Sequence, residues 1–183
     1  KGDSAKSAAE TIFAAEEAGL AGCSIEDFSG DEANPIYDFN HAVERVAAAA
    51  EAGRALRRDF VFTARAENFL HGRPNLDDTI KRLQAFEKAG ADVLFAPGIS
   101  DETALATICA SVGKPVSVIS PNGSSVEALA RIGIRRISTG PRMTQAMFGA
   151  VDRAAREILD KGTFSFIGEV TPFATLQGMF SKM

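Results

Sequence analysis

The chain has 183 residues, 45% of them hydrophobic and 24% charged, with a formal net charge of −4. That is enough chain for one sizeable globular core. The acidic balance argues against a nucleic-acid or anionic-membrane surface, and no apolar run approaches the roughly 20 residues of a membrane span. Cys23 and Cys109, with His41 and His71, lie too far apart for a zinc cluster, and no signal-peptide pattern opens the sequence; buried reduced thiols fit a cytoplasmic location.

In chain order, Ser4 or Ser7 caps a first helix in which Ala8, Ile12 and Ala15 share one face. A strand follows at 22–26, then a loop at 27–39 containing Gly30, Asn34 and Pro35. Asn40 is the expected N-cap of an Ala-rich helix that runs to about residue 57. The second strand is 60–64, and a loop with Gly72 and Pro74 leads to Asn75, the cap of a helix over 76–89. A third strand at 93–96 stops at Pro97-Gly98, and Asp101 opens a helix to 112. The fourth strand is 115–119, followed by a Pro121-Asn122-Gly123 turn and a helix to 132 capped by Ser124 or Ser125. A fifth strand at 136–138, a helix from Pro141 to about 161 and a short apolar piece at 171–180 complete the pattern.

One phrase occurs three times: a helix ends in Gly and a short apolar strand follows, at Gly19, Gly90 and Gly133. Glycine just past a helix adopts the left-handed conformation that ends it. Helix, Gly, strand, loop, helix is the pattern of a parallel βα array, whose function sits where the strands end. The dinucleotide fingerprint and the P-loop are both absent. The expected fold is α/β, a TIM-type (β/α)8 barrel in one domain over 1–183. This chain would supply roughly the last five βα units and lack the first three.

Strand ends then select the candidate site. Glu26 and Asp27 follow the first strand and suit a divalent cation or its waters. Arg65, flush at the end of an apolar strand, suits a substrate carboxylate or a developing oxyanion. An ion pair with Glu67 or Glu26 is the structural alternative, but an Arg at the end of an apolar strand is costly unless it has work to do, which favours function. Ser120 and Asn122 follow the fourth strand and can orient a small polar ligand; Glu67 and the loop residue Asn34 complete the substrate-binding candidates. The 27–39 loop is placed to act as a lid. His71 reads as a solvated loop residue, and Arg135-Arg136 as a structural or surface pair.

Three segments carry a resemblance: Ala18-Gly19-Leu20-Ala21-Gly22-Cys23-Ser24-Ile25-Glu26-Asp27, Phe62-Thr63-Ala64-Arg65-Ala66-Glu67, and the helix from Leu76 to Arg82 followed by Ala89-Gly90-Ala91-Asp92. It extends through Arg136-Ile137-Ser138 to Thr171-Pro172-Phe173-Ala174. Together these residues resemble the isocitrate lyase / phosphoenolpyruvate mutase superfamily, in its broad, poorly assigned branch.

The resemblance implies a Mg²⁺-dependent barrel, with Mn²⁺ as a substitute, that cleaves a C–C or P–C bond next to the carbonyl of a small 2-oxo acid or related carboxylate through a metal-held enolate. It makes Glu26 the metal-shell carboxylate, acting through water, and Arg65 the catalytic residue that binds substrate and steadies negative charge. It further implies a homo-oligomer, dimer or tetramer, with the C-terminal apolar segment exchanged between subunits. The family's main acidic metal motif lies on an earlier strand, and Lys1-Gly2-Asp3-Ser4 matches only its tail. The lyase loop with its Cys is replaced here by Phe28-Ser29-Gly30-Asp31-Glu32-Ala33-Asn34-Pro35. Phosphonomutase-type phosphorus transfer, or a catalytically silent barrel that binds a carboxylate metabolite, are the alternatives.

Overall fold

A computed structural model describes residues 2–181; Lys1, and with it the first residue of the motif-tail match, lies outside them. Five strands form one parallel sheet in the order β1-β2-β3-β4-β5. They are β1 (Gly22–Glu26), β2 (Val61–Arg65), β3 (Val93–Phe95), β4 (Val116–Ile119) and β5 (Ile134–Ser138). The helices α1 (Ala5–Glu17), α2 (Phe39–Ala55), α3 (Leu76–Lys88), α4 (Glu102–Ser111) and α5 (Val126–Arg131) alternate with them. Sequential parallel neighbours joined by helices are the βα array that the repeated phrase predicts.

Helix starts and stops explain the regularity. Ser4, Asn75, Asp101 and Ser125 each accept a backbone N–H from the first turn of the helix that follows. The cap of α2 is Asp38, not Asn40: its carboxylate accepts from the Asn40 and His41 amides, and Asn40 itself is helical. Gly19, Gly90 and Gly133 all have positive φ (83°, 108° and 102°), so each of the three helix–Gly–strand turns uses the conformation that only glycine adopts without strain. The second strand begins one residue later than expected and includes Arg65, whereas the fifth begins two residues earlier, at Ile134.

The chain packs as two compact units, 2–138 and 139–181 among the described residues. The core of the first lies between sheet and helices. Ile25, Phe62, Ala64, Leu94, Val118 and Ile134 point from the sheet into a cluster with Ile12, Val46, Leu83, Phe86, Leu105 and Ile108 from the helices. Strand alternation therefore sends Ser24, Thr63, Arg65, Phe95 and Ser117 to the other face, and a register shift between β4 and β5 turns Arg136 there too.

The second unit contains α6 (Arg142–Lys161), a 3₁₀ turn (Ser165–Glu169) and α7 (Phe173–Phe180). Glu157 ties α6 to the 3₁₀ turn: it accepts from the Thr163 hydroxyl at 2.8 Å and the Phe166 amide at 3.3 Å. The donated backbone and side-chain hydrogen bonds hold its carboxyl down at about 2. Met147, Phe148, Leu159, Phe173 and Phe180 in this unit are exposed. No helix among the described residues is long and apolar enough to cross a membrane.

Candidate functional site

Parallel register aligns the ends of β1 and β2: Glu26 pairs with Arg65, and Arg65 with Phe95 on β3. Three charged groups meet there. The Arg65 Nε donates to Glu67 Oε1 at 2.6 Å and lies 3.5 Å from Glu26 Oε2. Its guanidinium carbon sits 5.1 Å from the centre of the Phe95 ring, a cation–π distance.

The two carboxylates are not equivalent. The Glu67 side chain is 1% exposed, whereas that of Glu26 is 43% exposed. Burial pushes the Glu67 carboxyl up from its ordinary value, and the Arg65 hydrogen bond pulls it back in part. Glu67 Oε2 also lies 3.5 Å from His71 Nε2. With one oxygen engaged by Arg65 and the other facing His71, Glu67 is built to orient Arg65. The Glu26 carboxylate, half open to solvent, has room for the water shell of a hard cation.

His71 is not a solvated loop residue. Its ring stacks on Phe28 with centroids 3.8 Å apart and planes 2° from parallel, and its amide donates to the Glu67 carbonyl. The aromatic partner eight residues beyond Leu20 in the next loop gave no sequence signal for this contact, because the pairing is made only when the loops after β1 and β2 come together.

Asp27, next to Glu26, turns away from the site. It is 2% exposed, accepts the Glu67 amide at 2.8 Å and pairs with Arg82 Nη1 at 3.2 Å. Both oxygens are engaged, so Asp27 is a structural anchor and not a cation ligand. Arg82 also donates to Asp78, one turn earlier on the same helix, at 2.9 Å and to the Tyr37 carbonyl at 3.1 Å, which joins α3 to the loop after β1. The 27–39 loop is tied at its base: Tyr37 N–H donates to the Asp27 carbonyl and Ser29 N–H to the Pro35 carbonyl, each at 2.8 Å. A Phe28–Ile36 antiparallel bridge closes it further.

Desolvation raises the Asp27 carboxyl from 3.8 to about 6 in spite of the Glu67 amide and Arg82, which both lower it. A folded-state value above the unfolded one favours the fold fully below about 3.8 and loses that contribution as pH rises through 6. Denaturant unfolding at stepped pH is therefore expected to show wild-type stability falling relative to Asp27→Asn between pH 4 and 6. Parallel curves for the two proteins would rule this out.

The remaining candidates are dispersed. Ser120 follows β4, and its amide donates to the Ser138 carbonyl at 2.9 Å. Asn122 is exposed in the turn that Ser124 closes on the Pro121 carbonyl. Asn34 lines a different cavity of about 460 Å³, with Asn68, Arg73, Asn75 and Arg82. The structure thus brings Glu26, Arg65 and Glu67 together and leaves Asn34 apart from them. No group of three or more His, Cys, Asp or Glu side chains able to hold a metal exists among the described residues, and Glu26 offers one open carboxylate.

Arg136 is exposed and lines an open cavity of about 670 Å³ on the sheet face away from the helices, with Ser24, Thr63, Arg65, Ser117 and Ser138. A register shift between β4 and β5 takes up Arg135, so that Arg136 pairs with Ser117.

Comparison with known proteins places these residues in a family. The family model for phosphoenolpyruvate phosphomutase matches residues 1–159. A solved structure from Burkholderia cenocepacia J2315, described as a lyase/mutase, superposes with a TM-score of 0.94 at 46% identity, over 98% of this chain and 66% of that one. The oxaloacetate decarboxylase of Pseudomonas entomophila is 30% identical over 71% of this chain and 46% of its own length. A phosphonopyruvate hydrolase solved with oxalate and Mg²⁺ shares the fold, with a TM-score of 0.78 at 21% identity over 98% of this chain and 66% of that one. The chain spans about half the length of the curated relatives it matches. With a parallel βα sheet, the Ile-Glu-Asp and Ala-Arg-x-Glu strand ends in register and a family match over most of its length, the chain belongs to the phosphoenolpyruvate phosphomutase family of the isocitrate lyase / phosphoenolpyruvate mutase superfamily.

Proposed function

We propose that the chain carries the reacting end of a Mg²⁺-dependent enzyme that cleaves a C–C or P–C bond next to the carbonyl of a small 2-oxo acid or related carboxylate. The observation that carries this reading is the Arg65 guanidinium, held between an open carboxylate, Glu26, and a buried one, Glu67. In such cleavage, negative charge develops on the carbonyl oxygen. A cation fixed beforehand beside that oxygen lowers the barrier because nothing has to reorganise as the charge appears.

Each residue then has a task. Glu67 holds Arg65 in one rotamer. Arg65 binds the substrate carboxylate and stabilises the developing charge. Glu26 holds Mg²⁺ through water; when bound, the ion supplies a further positive sink for that charge. Ser120 and Asn122 orient the far end of the substrate. The sheet forms part of an eight-stranded barrel, and a second copy of the chain covers the apolar surface of α6 and α7. The protein works in the cytoplasm on a metabolite and has no nucleic-acid or membrane partner.

Phosphorus transfer is the second reading, favoured by the family model that matches. Incubating the full-length protein and Mg²⁺ with oxaloacetate, methylisocitrate, dimethylmalate and phosphonopyruvate, with products followed by NMR, tests both. Cleavage of one supports the lyase reading, and rearrangement of phosphonopyruvate supports the mutase. Absence of turnover with all four in folded protein would favour a silent carboxylate-binding barrel.

A further inference from the structure

The loops after β1 and β2 meet at two places. Phe28 stacks face to face on the His71 ring, with centroids 3.8 Å apart, and Arg73 Nη2 donates to the Ala33 carbonyl at 3.3 Å. The stack holds the imidazole in one plane, and its Nε2 then lies 3.5 Å from Glu67 Oε2. The backbone supports the same placement: the His71 amide donates to the Glu67 carbonyl at 3.1 Å, which keeps the two residues one helical turn apart. Glu67 therefore stands between two groups. Its Oε1 accepts from Arg65 Nε at 2.6 Å, and its Oε2 faces the ring. A buried carboxylate needs donors at both oxygens, and with its proton on Nε2 the His71 ring supplies the second.

We infer that His71 is a positioning residue for Arg65: it fixes the Glu67 carboxylate from its second oxygen and, through it, the rotamer of the Arg65 guanidinium. The inference rests on the proposed role of Arg65 in binding the substrate carboxylate. The last torsion of a glutamate side chain is soft. A contact at Oε1 alone leaves that carboxylate free to turn, and Arg65 turns with it; a second contact at Oε2 removes this freedom. Glu67 engages Arg65 at Nε, so the two terminal nitrogens are left to grip a carboxylate as a fork in the cavity that Arg65 lines. Phe28 extends the chain of contacts to the loop after β1: displacing that loop removes the stack, and with it the restraint on the ring.

The test is calorimetry of oxalate binding to the full-length protein with Mg²⁺, with melting temperatures measured alongside. His71→Phe keeps a ring to stack on Phe28 and removes the donor to Glu67. His71→Gln keeps a donor N–H and gives up the ring. His71→Phe is expected to weaken oxalate binding about tenfold at a melting temperature near that of wild type, the lower end of the loss seen when a partner that orients a metal ligand is removed. His71→Gln should recover most of the affinity. In a Glu67→Gln background, His71→Phe should weaken binding no further, because the route to Arg65 is already cut. Wild-type affinity in His71→Phe, a loss of equal size in His71→Gln, or an additive loss in the Glu67→Gln background would overturn the assignment. Each of those results leaves the proposed function standing, whereas wild-type protein that binds no oxalate with Mg²⁺ removes both.

Discussion

Arg65→Ala is expected to lower kcat/KM of the full-length protein by about 10²- to 10³-fold, the loss that follows removal of one donor to a developing oxyanion. The same change strands Glu67, whose side chain is 1% exposed and already raised toward protonation by burial. Some loss of stability must therefore accompany the loss of activity, and a lower melting temperature does not by itself argue against a role in the site. Arg65→Lys separates the two effects. An ammonium keeps a positive charge beside Glu67 but cannot reproduce the bidentate grip of a guanidinium on a carboxylate. Turnover per folded molecule should remain poor in Arg65→Lys while its melting temperature stays near that of wild type. Near-normal turnover in both variants would assign Arg65 to structure alone.

Arg82→Leu is expected to be the most destabilising of the changes considered, by roughly 3–5 kcal/mol, because it leaves the buried Asp27 carboxylate without its cation. It also removes the donor to Asp78 and to the Tyr37 carbonyl, and so releases α3 from the loop after β1. The urea midpoint should fall with little change in slope. Adding Asp27→Asn should recover a substantial part of the loss, since the uncompensated charge is then gone. Equal instability of single and double variants would place the cost in the Tyr37 and Asp78 contacts instead.

Much of the architecture was legible because local chemistry and tertiary structure agree. Three glycines with positive φ end three helices at the points where the sequence repeats its phrase, and four of the five helix caps in the sheet unit fall on expected residues. Asp38 was missed because Asp and Asn are equally good caps and stand two residues apart. At the site, adjacency of Glu26, Arg65 and Glu67 followed from their places at strand ends. The identity of the buried partners did not. Asp27 and Arg82 are 55 positions apart, and nothing local to either announces the pair. Adjacent like charges, Arg135 and Arg136, read as one surface feature; both are exposed, and the register shift between β4 and β5 that sets Arg136 opposite Ser117 has no local sequence signal.

The central claim is that the open carboxylate at the end of β1 serves a metal beside Arg65. A Mg²⁺ titration of substrate cleavage by the full-length wild-type protein and by Glu26→Gln tests it most directly. Glutamine keeps the size of the side chain and removes its charge. The expected result is loss of turnover in EDTA, its return with added Mg²⁺, and a Mg²⁺ requirement in Glu26→Gln raised by about 10- to 100-fold, as for other residues that support a metal through its surroundings. Turnover indifferent to EDTA, or superimposable Mg²⁺ curves for the two proteins, would contradict the account.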